Sequence, residues 1–150
     1  RQYEKVVLFN VDSDDHLHKD TIKTIKKQQL FEGTTLYMDA GYIYDLNTGK
    51  MAHYTGNGTP PPFWGIVLPL HARTDITAAH NYMKQHKMDG HHFQKHYASN
   101  AIKLPAGMYL YSVHNDNTTT GWKNHNTAKH VREEITDEKQ KHDILEKFGL

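Results

Sequence analysis

Residues 34–45 read T-T-L-Y-M-D-A-G-Y-I-Y-D, residues 46–49 read L-N-T-G, and residues 50–55 read K-M-A-H-Y-T. The two flanks are rich in β-branched and aromatic side chains, which fit a pleated, half-buried surface. Between them, Asn47-Thr48-Gly49 supplies the small polar and glycine residues that a tight reversal needs. The pattern predicts a β-hairpin, and a hairpin commits this part of the chain to an antiparallel sheet.

The neighbouring segments extend that sheet. Y-E-K-V-V-L-F-N-V at 3–11, F-W-G-I-V-L-P-L at 63–70 and A-G-M-Y-L-Y-S-V-H at 106–114 each predict a strand. Pro60, Pro61 and Pro62 read as a stiff connector into the second of these. A helix is predicted over 21–31, capped by Asp20 and stopped by Gly33, and another over 76–87 behind Asp75 or Thr74. On that second helix Ile76, Ala79 and Met83 fall on one stripe, expected to face the core. The C-terminus predicts helix again, near A-K-H-V-R-E-E-I at 128–135 and then beyond Thr136 as cap. The expected fold is a single α+β domain over residues 1–150, with a mainly antiparallel sheet of four or five strands and flanking helices.

Composition narrows the function classes. Two Trp, nine Tyr and five Phe are enough aromatic mass to build a core, and 18 basic against 17 acidic residues leave a formal charge of +1. Without cysteine there is no disulfide, thiolate nucleophile or cysteine-based zinc module. The longest apolar run, Ile66-Val67-Leu68, is far too short to span a membrane, and no signal-peptide core is present, so a soluble chain is expected. A start at Arg1 instead of methionine fits a processed or secreted fragment as well as an excised domain. Walker, G-x-G-x-x-G and G-x-S-x-G patterns are absent.

Histidine is the outlier, with 13 residues, five of them (His80, His86, His91, His92, His96) in the stretch 80–97. An imidazole titrates near neutrality, so it serves equally as proton donor, proton acceptor or metal ligand. His92 and His96 have the four-residue spacing that puts two ligands on one helix face, with His80, His91 or His114 available as a third for zinc, copper or nickel. The residues between them are Phe93, Gln94 and Lys95, so the glutamate of a metalloprotease helix is missing. Gly90-His91-His92 resembles the glycine-histidine-histidine signature of HNH-like toxin nucleases over those three residues, but the remainder of that pattern does not follow. An EF-hand is excluded in the acidic loop of Asp12, Asp14 and Asp15, which has no glycine at the sixth position and Lys23 at the twelfth.

Metal-independent cleavage of RNA uses the same inventory. It needs a base for the 2′-hydroxyl, an acid for the leaving oxygen, and charge or hydrogen bonds for the phosphorane. His92 or His96 with His114 supplies the proton transfers, Lys95 or Lys103 the phosphate contact, Thr119 a donor, and Phe63, Tyr109, Tyr111 and Trp122 surfaces for stacking bases. A small ribonuclease of toxin or effector type, with RNA as substrate, no cofactor and a protein inhibitor as partner, is therefore the leading expectation. The alternative is a non-enzymatic, histidine-rich binding protein for zinc or another transition metal, a glycan or a pH-sensed partner.

Overall fold

A computed structural model describes residues 5–55, 63–72, 75–85, 101–114 and 128–150. Nine strands and three helices are assigned among them: β1 Val6–Asn10, β2 His16–Leu17, α1 Thr21–Lys26, β3 Thr35–Met38, β4 Ala40–Asp45 and β5 Met51–Thr55 come first. After these follow β6 Phe63–Leu68, a 3-10 turn at Leu70–Ala72, α2 Ile76–Gln85, β7 Ala101–Lys103, β8 Tyr109–Val113, β9 Val131–Ile135 and α3 Glu138–Phe148. The α+β class is as expected, but the strands form two sheets. One has four strands in the order β1-β6-β3-β7, the other five in the order β2-β8-β4-β5-β9. Pairing is antiparallel except for β3 with β7 and β4 with β8.

The hairpin explains the division. β4 and β5 pair from Ala40↔Thr55 to Tyr44↔Met51, and the Asp45 carboxylate accepts bonds from Asn47 N at 2.9 Å and Thr48 N at 3.3 Å to close the turn. The first predicted strand of that hairpin, however, breaks at Asp39, where β3 leaves one sheet and β4 enters the other. Asp39 is anchored there by Lys103, with Nζ 2.8 Å from Oδ2. Gly41 on β4 passes close over β8: a Cβ at that position would sit 2.5 Å from Tyr109 O and 2.8 Å from its ring.

The sheets share a core. Leu36, Met38, Phe63 and Val67 of the first meet Ile43, Ala52, Tyr54, Tyr109 and Val113 of the second. On its other face the first sheet buries Trp64, Ile66 and Leu68 with Ala72 and Ala79, so β6 is buried on both sides. The second sheet buries Met51, Leu110 and Ile135 with Ile144 and Phe148 of α3. Strand alternation produces these two outer clusters, because successive side chains point to opposite faces.

Several local expectations are corrected. Residues 131–135 form β9 along β5 instead of a helix, a case of tertiary pairing overriding local pattern. Ile76 lies 87% exposed at the start of α2, while Ala79 is buried and Tyr82 and Met83 pack beside it. The α1 helix ends at Lys26, and the Asp20 side chain makes no capping bond; its backbone N–H instead donates to His18 Nδ1 at 3.0 Å. Asp75 does cap α2, accepting from Ala78 N at 2.8 Å. Asp137, not Thr136, caps α3, accepting from Gln140 N at 2.6 Å. Thr74 and the three consecutive prolines lie outside the described residues.

Candidate functional site

Of the proposed catalytic set, His114 is described, and His92, His96, Lys95 and Thr119 lie outside the described residues, as do His91 and Trp122. His114 follows the last residue of β8, and β8 is flanked by β4 on one side and the short edge strand β2 on the other. That edge brings the acidic loop against it. The pairs His16↔Leu110 and Leu17↔Tyr109 set the register, and the chain before His16 runs back along β8 toward His114.

Two consecutive carboxylates of that loop are spent on β8. Asp15 Oδ1 accepts from Ser112 N at 2.9 Å, so a side chain replaces the backbone carbonyl that would continue the ladder. Asp14 Oδ2 lies 3.0 Å from His114 Nε2, with both side chains 31% exposed. A carboxylate only accepts, so in a neutral ring the proton resides on Nε2 and the basic lone pair on Nδ1. A turn bond from Asp15 N to Asp12 O, 3.1 Å, shapes the loop that presents both groups.

The electrostatics of the two carboxyls differ. Burial pushes Asp15 up to about 7; the Ser112 N–H bond opposes this, and the charges of Asp14 and Asp12 reinforce it. On the core side of β8, Tyr54 and Tyr111 stack with ring centroids 5.6 Å apart and planes at 14°. Burial pushes the Tyr54 hydroxyl up to about 12, with further contributions from Tyr111 and Asp15. His130 approaches Tyr54 at 5.7 Å between ring centroids, and its Nδ1 lies 3.0 Å from Thr55 O; burial holds its pKa below the usual histidine value.

Other expected roles are reassigned. Phe63 and Tyr109 are both fully buried and stack on each other at 4.4 Å, so they are core and offer no surface to a base. Lys103 is engaged by Asp39. His80 is exposed on α2, which packs against the four-stranded sheet, whereas His114 ends a strand of the five-stranded one. Among the described residues, no group of three or more histidine, aspartate or glutamate side chains is placed to hold a metal ion. No described helix is long and apolar enough to cross a membrane.

Asp14 and Asp15 are the residues that sequence reasoning left without a role. Their only signal was an acidic run in a polar loop that does not fit a calcium site. No known family model, curated protein or solved structure matches this chain.

Proposed function

We propose that this chain is a histidine-dependent ribonuclease that cleaves phosphodiesters by acid–base chemistry, with His114 as one of its two proton-transfer groups. The observation that carries the reading is the 3.0 Å contact between His114 Nε2 and Asp14 Oδ2 at the C-terminal end of β8. Such a carboxylate fixes the ring's orientation and tautomer. It also stabilises the imidazolium that forms when the ring takes a proton from a 2′-hydroxyl. The partner acid in this proposal is His92 or His96, with Lys95 at the phosphate and Thr119 as a donor.

The test is RNA cleavage in EDTA by the wild type, His114→Ala and Asp14→Asn. A positioned acid or base contributes typically 10²–10⁴-fold, so His114→Ala should lose about that much and Asp14→Asn a smaller share. Cleavage by His114→Ala at the wild-type rate, or no cleavage by the wild type, overturns the assignment.

A further inference from the structure

The most lysine-rich stretch among the described residues is not beside His114. The segment 19–27, K-D-T-I-K-T-I-K-K, holds four lysines against one acid. Lys19, Lys23, Lys26 and Lys27 are all exposed, and among the described residues none of the four forms an ion pair. Helical geometry aligns them. At about 100° per residue, Lys23, Lys26 and Lys27 fall within roughly one third of the α1 circumference, opposite the buried Thr21 and Ile25. The end of α3 lies against the start of the strip, where Lys19 N donates to Lys147 O at 2.9 Å. A chain whose formal charge is only +1 has therefore gathered a cationic strip in one place.

The strip lies on the same sheet edge as His114. β2 leads directly into α1, and His18 N donates to Met108 O at 2.9 Å just before β8 begins. From Met108 to His114 is six residues, or about 20 Å at roughly 3.3 Å per residue. Between the two lies the acidic loop, whose Asp14 carboxylate is held against the His114 ring.

We infer that the exposed lysines on and beside α1, Lys19, Lys23, Lys26 and Lys27, dock the sugar–phosphate backbone of a single-stranded RNA whose distal portion reaches His114; the assignment of that RNA as substrate rests on the ribonuclease reading above. A phosphate chain suits the strip better than an anionic membrane does. The apolar side of α1 is committed to the core through Ile25, which leaves Ile22 as the one exposed large apolar side chain of that short helix. A flexible polyanion requires only a run of unpaired cations at its own charge spacing.

Fluorescence anisotropy of a labelled oligouridylate over a series of salt concentrations tests the strip, using the wild type, His114→Ala and the combined Lys19→Gln, Lys23→Gln, Lys26→Gln, Lys27→Gln variant. Each lysine–phosphate contact adds about 0.7 to the slope of log K against log salt for single strands, so the combined variant should bind more weakly with a slope lower by roughly 3. An unchanged slope and affinity in a variant with wild-type circular dichroism overturns the inference, as does binding to phosphatidylserine vesicles without binding to the oligonucleotide. His114→Ala separates the two readings. If it binds like wild type while no protein cleaves, the strip stands and the ribonuclease reading falls. If cleavage depends on His114 but the lysine variant keeps its affinity, the strip falls alone.

Discussion

Asp15 makes the sharpest test of the packing around β8. Its carboxyl titrates at about 7 in the folded chain against an ordinary 3.8, pushed up chiefly by burial. The folded value is the higher one, so the folded state holds this proton more tightly. The resulting stabilisation is fully present below pH 3.8 and is lost progressively as pH rises to about 7. A shift of about three units corresponds to roughly 4 kcal/mol as a ceiling; Asp15 is only partly buried, so water offsets part of the burial cost and the expected effect is about 2 kcal/mol. Asp15→Asn removes the titration but keeps an oxygen to accept from Ser112 N. Urea unfolding of both proteins across pH 4.5 to 8 isolates the one group, because every other titrating residue is common to the pair and largely cancels in the difference. The asparagine variant should match the wild type near the acid end and be about 2 kcal/mol more stable at the alkaline end. A stability difference that stays constant over that range refutes the reasoning.

Two further outcomes follow from the rest of the structure. Gly41→Ala forces a methyl to within 2.5 Å of Tyr109 O and should cost about 1–3 kcal/mol in chemical denaturation, whereas Gly49→Ala, with open space around it but a φ of 68°, should cost less, near 1 kcal/mol. NMR titration should find His18 and His130 protonating below 6.5, each held down mainly by burial; stability from these rings is present above 6.5 and lost as pH falls below it, and a value above 6.5 for either contradicts the packing described.

What was legible from the sequence follows the range of the interactions involved. The β4–β5 hairpin is local: its turn chemistry is written in Asp45, Asn47, Thr48 and Gly49, within a few residues of the bonds they make. The strand at Phe63–Leu68 is readable as a continuous apolar run because it is buried on both faces. The break at Asp39 is not local. It depends on β3 and β4 finding different neighbours, β6 and β7 in one sheet and β8 in the other, and an alternating pattern of tyrosines carries no mark of that choice. Likewise V-R-E-E-I at 131–135 has apolar ends four residues apart, as one helix face would, and only its register against β5 makes it a strand. The candidate site is less legible still. His114 stood out as a strand-end histidine, but the carboxylate that orients it lies 100 residues earlier in a loop that reads as a failed calcium site. No spacing rule links the two. They meet because β2, only two residues long, pairs with β8 in a register that carries Asp14 alongside the end of that strand. Register, not motif, assembles the pair, and so a one-residue slip of β2 would destroy it while leaving every local signal in the sequence intact.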